Sequence, residues 1–310
     1  MIEYKDITYV GASKKLICRD GNKQYADSMD LEFLTYKDYF NLYEHIKCSI
    51  IDIAVGWTTP KDLSDIEILL KYDTKVNKGD LYQKVFFRLV DQFKHQESSD
   101  VYTTMKELSR IYNIPIIGTY DVDYYGLNVA GIVPYPYLTY DELDNFDINE
   151  RIPGIILTGS DIKDIYPMRY KLYNLNSEVI DSVKHPGYSG KHWSTGCIGG
   201  DYLKMLSRYQ FMACTTCIED YELLKYVECA EAGCIPIGEL PSSLKGTEAE
   251  KYFIEIPNEV LGSSDEFNEW FGEICIPLDY ELFSNGYRNA IKELNDKENL
   301  KSLLLSIVNK

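Results

Sequence analysis

Residues 214–239 (CTTCIEDYELLKYVECAEAGCIPIGE) constrain the fold of this chain more than any other stretch. A short apolar strand over 211–214 runs into a polar loop, and the pattern then predicts a helix over 221–232. The chain turns at Gly233 into a second strand over 234–238, since glycine readily takes the left-handed conformation that ends helices. A strand–helix–strand unit of this kind predicts a parallel α/β sheet, whose strand-to-helix loops bind ligands. The helix N-terminus at such a loop favours an anion such as a diphosphate.

Length and charge restrict the class of protein. The chain has 310 residues, of which 45% are hydrophobic and 26% charged, as is typical of globular proteins. This length predicts about two domains. No stretch approaches the ~18 apolar residues of a membrane span, and the first residues do not resemble a signal peptide, so we expect a cytoplasmic protein. The net charge of −17 argues against a nucleic-acid partner, because phosphate backbones are bound by clustered Lys and Arg.

The cysteines and acidic pairs predict no metal site. Eight cysteines are scattered along the chain, and without a signal peptide we expect them to be reduced thiols. Cys214 and Cys217 form a CxxC pair, but no second pair or histidine pair completes a zinc site. Buried thiols at a strand end are the simpler interpretation, with metal or redox use as the alternative. Asp121 and Asp123 have the Asp-x-Asp spelling of metal-dependent transferases, but lack the context of a nucleotide site.

Short apolar strands alternate with helical patterns along the chain, which predicts parallel α/β sheets. Residues 128–151 contain prolines, many acids and no sustained period, and they predict a linker. We therefore expect an α/β protein with two Rossmann-like domains, 1–150 and 151–310, and a cleft between them. In the first half, the predicted strands are 16–19, 31–34, 50–55, 85–90 and 115–119, and the predicted helices are 36–46 and 102–112. In the second half, the predicted strands are 154–157, 211–214, 234–238 and 252–256, and the predicted helices are 166–173, 201–209, 221–232, 264–271 and 283–308.

The predicted helix over 221–232 carries Tyr221, Lys225 and Glu228 at positions i, i+4 and i+7. Side chains at this spacing lie on the same side of a helix, so the helix offers a cation for phosphate and a carboxylate for sugar hydroxyls. The alternative is a surface salt bridge on an amphipathic helix, which contributes little to stability.

Here the chain resembles a known family. The order of Glu228, small residues, Gly233 and then Cys-Ile-Pro-Ile resembles the C-terminal signature of GT-B glycosyltransferases of the "group 1" type. In that family, a Glu followed five residues later by Gly and an apolar strand binds the ribose of the donor nucleotide. The resemblance implies that Glu228 contacts the ribose hydroxyls and that Lys225 neutralises the donor diphosphate. The family often has a second Glu eight positions earlier that faces the sugar, and this chain has Asp220 there.

A second group of residues belongs to the same resemblance, which covers mainly residues 154–239. Gly159 and Ser160 follow the strand 154–157, where small residues let the backbone approach a ligand. Arg169 can bind a phosphate through two hydrogen bonds, with a surface arginine as the alternative. His185 is a candidate for a donor phosphate or an acceptor hydroxyl, with a structural role before Pro-Gly as the alternative. These blocks resemble segments that precede the Glu-containing helix in viral and bacterial members.

The catalytic candidates lie in the first half. In a GT-B enzyme the acceptor binds the N-terminal domain, and an inverting member needs a general base there. Asp91 and His95 follow the predicted strand 85–90 and are the candidates, with Asp121 next. The alternative for Asp91 is that it caps the following turn.

The resemblance thus implies a glycosyltransferase, either a hexosyl- or a pentosyltransferase, that transfers a sugar from a nucleoside-diphosphate donor to a hydroxyl acceptor. The expected acceptor is a glycan, with a small molecule or a protein as the alternative. It implies no metal and no cofactor beyond the nucleotide sugar as co-substrate, and final helices that cross back to the first domain. The alternatives are a nucleotide-sugar epimerase or hydrolase of the same build and a non-catalytic module that binds a nucleotide sugar.

Overall fold

The computed structural model describes residues 1–12, 22–53, 58–77, 83–89, 99–120, 126–139, 151–184 and 200–310. The chain forms two compact units. Unit 1 contains residues 1–136 and 297–310, and unit 2 contains residues 137–296. Position 150, where the sequence places the domain boundary, lies outside the described residues.

Unit 1 is built on a six-stranded parallel sheet with the order β2-β1-β3-β4-β5-β6. Its strands are β1 (Ile7–Gly11), β2 (Glu32–Thr35), β3 (Cys48–Ile53), β4 (Lys84–Leu89), β5 (Ile116–Gly118) and β6 (Val129–Ile132). Its helices from the first part of the chain are α1 (Asn22–Ser28), α2 (Tyr36–Leu42), α3 (Pro60–Val76) and α4 (Asp100–Tyr112).

Unit 2 is built on a five-stranded parallel sheet with the order β11-β10-β9-β7-β8. Its strands are β7 (Ile152–Gly159), β8 (Ile180–Lys184), β9 (Tyr209–Cys214), β10 (Ile235–Gly238) and β11 (Ile254–Glu255). Its helices are α5 (Pro167–Asn174), α6 (Gly200–Leu206), α7 (Leu224–Ala232), α8 (Ser264–Ile274) and α9 (Tyr280–Leu294).

Each sheet has its own apolar core. In unit 1, β3 is buried along its whole length, as expected for a central strand of a parallel sheet covered on both faces. One face packs on aliphatic side chains of α3 and α4, among them Leu63, Ile66 and Met105. In unit 2, Phe211 of β9 and Phe271 of α8 meet edge to face, with ring centroids 5.2 Å apart. Parallel strands within each sheet bring their carboxyl ends to one edge, where strand-to-helix loops begin.

The last helix, α10 (Lys297–Val308), returns to unit 1. Lys297 and Lys301 donate to the carboxylate of Asp30 at 2.7 and 2.6 Å. Ile307 occupies the space beside Gly131, where a Cβ atom would clash with it. The expectation that the end of the chain crosses back to the first unit is therefore confirmed, together with the α/β class.

The structure corrects several boundaries. The predicted helix 283–308 is two helices, because α9 ends at Leu294 and Asn295 leaves the helical conformation. The predicted linker begins with a strand, β6, which pairs with β5. The predicted strand 16–19 lies outside the described residues.

Besides β6, four helices and strands lie where the sequence pattern predicts none, namely β1, α1, α3 and β8. For α3 the signal was present in the sequence. Thr59 caps the helix in a reciprocal capping box with Asp62, and Pro60 occupies its first turn, which is a recognised start signal. Among the described residues, no helix is long and apolar enough to cross a membrane.

Candidate anion-binding site in unit 2

The carboxyl ends of β7, β9 and β10 lie side by side in the sheet of unit 2. Gly238 closes β10 with φ +148°, and a Cβ atom there would collide with the carbonyl oxygen of Cys214 at the end of β9. The next residue, Glu239, donates its backbone N–H to that carbonyl at 2.9 Å. The glycine therefore lets the two strand ends stay in close contact.

Gly159 closes β7 with φ +109°. A Cβ atom at this position would lie 2.8 Å from Cε of Lys225 and 2.9 Å from Nη1 of Arg169. The sequence attributes this glycine to the approach of a ligand to the backbone. The structure adds a second reason, since two cationic side chains occupy the space that a side chain at 159 would fill.

Lys225 lies in the first turn of α7 and is only 8% exposed. Its ammonium donates to Oγ1 of Thr158 and, at 3.4 Å, to the hydroxyl of Tyr202. Burial lowers the pKa of Lys225 to about 8; the charge of Glu228 opposes this fall, and Arg169 adds to it. A surface salt bridge is therefore the wrong interpretation of Lys225, because its charge lies inside the protein.

Arg169, on α5, is 3% exposed. Its Nε donates to Oγ1 of Thr215 at 2.9 Å and its Nη2 to the Thr215 carbonyl at 3.3 Å. Nη1 lies 3.4 Å from the carbonyl of Ser160, and the guanidinium stacks on Tyr166 at 4.0 Å. Arg169 thus connects the loops that follow β7 and β9, which excludes the surface-arginine alternative.

Glu228 lies about one turn after Lys225 on α7 and is half-buried. Its carboxylate is close enough to raise the pKa of both Lys225 and Tyr202. The predicted pairing of Lys225 and Glu228 on one helix is therefore present in the structure.

Tyr221 does not share that helix. α7 begins at Leu224, three residues later than predicted, and Asp220 breaks the chain direction with φ +51°. The Tyr221 side chain is buried. The prediction that it lies on the same side of one helix as Lys225 and Glu228 is therefore wrong. The physical reason is the left-handed turn at Asp220, which a count of helical spacing cannot detect.

The remaining sequence candidates lie outside the described residues. These are the catalytic candidates Asp91 and His95, the donor-site candidate His185, and the acidic pair Asp121 and Asp123.

Sequence reasoning missed several residues that the structure brings to this edge of the sheet. Glu239 follows β10, and its carboxylate accepts from the backbone N–H and the hydroxyl of Thr216 at 3.0 and 3.2 Å. Glu239 and Thr216 could have been found, because they lie one and two residues after the predicted strands 234–238 and 211–214. Thr158 directly follows the predicted strand 154–157 and could have been found in the same way. Tyr202 had no comparable signal, since its importance comes from tertiary contact with Lys225.

Glu222, in the loop before α7, carries a second perturbed group. Its Oε1 is buried and has no hydrogen-bond partner among the described residues. Burial raises the pKa of this carboxyl to about 7. The loop that leads into α7 therefore holds a carboxyl that is partly protonated at neutral pH.

The C-terminal end of α7 is held by a set of donors. Arg151 donates to the carbonyls of Ala232 and Gly233 at 3.1 and 2.8 Å, and Arg288 donates to Ala230 at 3.2 Å. Ser284 of α9 also donates to Gly233 at 2.8 Å. Cations are favourable at a helix C-terminus, so these contacts fix the helix that carries Lys225 and Glu228.

The CxxC cysteines are buried free thiols, as the simpler interpretation predicts. Cys214 ends β9, and Cys217 lies in the loop after it. In the part of the chain that the structure describes, no group of three or more His, Cys, Asp or Glu side chains is arranged to hold a metal ion.

Comparison with solved structures identifies the fold. Anabaena HepE in complex with UDP and glucose superposes with a TM-score of 0.58 at 8% identity, over 98% of this chain and 99% of HepE. TarM superposes with a TM-score of 0.51 at 11% identity, over 87% of this chain, which spans 57% of TarM. Both are glycosyltransferases of the GT-B type. No protein-family model and no curated protein matches the sequence.

These likenesses concern the fold, and they agree with the two parallel sheets and the returning helix. The chain has the GT-B fold.

Proposed function

We propose that this chain is a glycosyltransferase that transfers a hexose or pentose from a nucleoside-diphosphate sugar to a hydroxyl acceptor. The observation that carries the proposal is the pair of buried cations, Lys225 and Arg169, packed against Gly159 at the carboxyl edge of the unit 2 sheet. Two like charges in a desolvated place are unfavourable unless an anion neutralises them. A diphosphate leaving group is such an anion.

The N-terminus of α7 adds to this attraction. Its N-cap residue is Leu223, and among the described residues no side chain caps it. Free backbone N–H groups and the helix dipole favour an anion at such an end. In the transfer, the leaving diphosphate gains negative charge, and fixed positive groups stabilise that charge in the transition state.

The other residues have the following proposed roles. Glu228 binds the ribose hydroxyls, and Gly159 and Ser160 let the donor approach the end of β7. His185 contacts a donor phosphate or an acceptor hydroxyl. The first domain binds the acceptor, and Asp91 or His95 deprotonates its hydroxyl in an inverting reaction. Lys225 and Arg169 neutralise the diphosphate without a metal ion. The cytoplasmic location expected from the sequence stays a prediction.

The GT-B relatives support a nucleotide-sugar donor. HepE was solved with UDP and with UDP and glucose. This makes UDP-sugars the first ligands to test.

The test is a thermal-shift and calorimetric screen against UDP-, GDP-, dTDP- and CMP-sugars, with and without EDTA. A ligand at about 100 times its dissociation constant stabilises the folded state by ~2.7 kcal/mol. Lys225→Met should weaken binding of the best donor about tenfold or more, because charged hydrogen bonds are lost. Lys251→Met, at an exposed ion pair of the same unit, is the matched control and should bind as the natural chain does. A CMP-sugar carries a single phosphate, so failure of the UDP-, GDP- and dTDP-sugars to bind would overturn the proposal even if the CMP-sugar binds.

Two further variants separate transfer from the alternatives. Asp91→Ala and His95→Ala should lose turnover while the dissociation constant of the donor stays unchanged. Release of free sugar or an epimerised donor without any acceptor would favour an epimerase or hydrolase. Donor binding without turnover in the natural chain, across acceptors, would indicate a binding module.

A further inference from the structure

A pair of hydroxyl groups lies beneath Lys225. Thr158 is the penultimate residue of β7 and Tyr202 belongs to α6; both are buried. Their hydroxyl oxygens are 2.8 Å apart, and both accept hydrogen bonds from Nζ of Lys225. Three elements of unit 2 therefore meet at one ammonium group.

This arrangement is unusual for a buried cation. Buried ammonium groups are normally paired with a carboxylate, as Arg88 is with Asp52 in unit 1. Here the described acceptors are neutral. An ammonium has three N–H groups, and the described part of the chain supplies acceptors for two of them. The hydroxyl pair thus orients the ammonium, while the half-buried carboxylate of Glu228 on the same helix acts on its charge.

We propose that Thr158 and Tyr202 are positioning residues, which hold the Lys225 ammonium at the carboxyl edge of the sheet in the orientation that meets the donor diphosphate. This inference rests on the proposed function for its ligand. The placement of Lys225 itself rests on the contacts alone, and can be tested without any ligand.

The charged and titratable groups around Lys225 define what the hydroxyls contribute. Glu228 on the same helix raises the pKa of Lys225, Arg169 from α5 lowers it, and Cys214 from β9 raises it. Tyr202 from α6 stays protonated, since burial raises its pKa well above the ordinary value. Hydrogen bonds from an ammonium to hydroxyl oxygens favour its charged form. Removing either hydroxyl should therefore lower the pKa of Lys225 further.

The experiment measures the free energy of unfolding from pH 7 to 9.5 in Thr158→Val, Tyr202→Phe and Thr158→Ser, each with and without Lys225→Met. The difference within each pair isolates Lys225. In the natural chain the folded pKa is about 8 and the ordinary value is 10.5. Between these values the unfolded state binds more protons, so stability rises with pH, and Lys225→Met removes this rise.

We expect the rise to begin about one pH unit lower in Thr158→Val and Tyr202→Phe, the size of one lost hydrogen bond to a charged group. Thr158→Ser keeps the hydroxyl and should keep the natural onset. Thr158→Val and Tyr202→Phe should also bind the best donor about tenfold more weakly. Thr158→Ser should bind it with the affinity of the natural chain. A merely structural role would lower stability equally at all pH values.

An unchanged onset in both Thr158→Val and Tyr202→Phe would overturn the positioning role, whatever the donor screen gives. A shifted onset supports it even where no nucleotide sugar binds, in which case the donor proposal fails separately. An onset that shifts equally in Thr158→Ser would also count against it, because that variant retains the acceptor.

Discussion

Each unit of this protein buries a cation near the carboxyl ends of its parallel strands, and the two cations contact different kinds of groups. In unit 1, Arg88 of β4 forms a buried ion pair with Asp52 of β3 at 3.1 Å. Tyr9 donates to Asp52, and the Arg88 guanidinium stacks on Tyr25 at 3.6 Å. In unit 2, the buried Lys225 donates to two neutral hydroxyls and has Arg169 as a neighbour.

Under the proposed function, this difference separates a structural charge in unit 1 from a ligand-binding charge in unit 2. The Arg88–Asp52 pair neutralises itself, so it joins two adjacent strands without attracting an outside anion. Lys225 and Arg169 place two positive charges against Gly159. Two positive charges in a desolvated place cost stability in the free protein, and the nearby carboxylates of Glu228 and Glu239 offset part of that cost. Under the proposed function, a bound diphosphate offsets the rest.

Arg88→Met should have the largest effect on stability. It leaves the Asp52 carboxylate buried without its cation, which costs about 3–5 kcal/mol. The measurement is the free energy of unfolding from a urea titration. The double variant Arg88→Met with Asp52→Asn, which leaves no uncompensated charge, should lose less. Equal losses in the single and double variants would contradict the view that the pair is mutually neutralised.

Lys225→Met should raise the free energy of unfolding, whereas Arg88→Met lowers it. The pKa of Lys225 falls from 10.5 to about 8, which corresponds to a penalty on the order of 3 kcal/mol at pH 7. The variant should therefore be more stable than the natural chain by up to that amount, since Thr158 and Tyr202 can still bond each other. The gain should shrink as pH rises above 8 and vanish above 10.5.

Urea titrations at a series of pH values check this prediction, with Lys251→Met as the exposed control. Surface ion pairs contribute at most about 1 kcal/mol, so that control should move little. A loss of stability in Lys225→Met at pH 7 would show that Lys225 is structural, and would remove the contrast between the two units.

Gly159→Ala should have a smaller effect on stability, about 1–3 kcal/mol, because a non-glycine residue is strained at φ +109°. The added methyl group would also push against Lys225 and Arg169, so donor binding should weaken as well. Gly272→Ala is the matched control, since its Cβ would meet open space within α8. That change should be neutral or stabilising by about 0.5–1 kcal/mol. Calorimetry with the best donor and thermal unfolding measure both effects, and undisturbed donor binding in Gly159→Ala would argue against a site at this strand end.

Local pattern predicted much of the fold. The strand before Gly159, the strands on both sides of α7 and the helix α4 were predicted to within a few residues, because their apolar periods are strong. β8 was missed because its sequence, IDSVK, is short and mixes polar with apolar residues. β1 could have been predicted, because ITYVG is rich in β-branched and aromatic residues. The helix predicted over 221–232 begins three residues later, at Leu224, since Asp220 takes a left-handed conformation that apolar spacing does not reveal.

Sequence alone determined the α/β class, the strand–turn–helix segments and the presence of Lys225, Glu228 and Arg169 near strand ends. Those features are local, because a residue's neighbours in sequence set its period and its place relative to a strand. Only the tertiary structure decided that Lys225 is buried against Thr158 and Tyr202, that Arg169 binds Thr215, and that both fill the space of Gly159. These contacts join residues up to 67 positions apart, so they exist only once the sheet has brought its strand ends together.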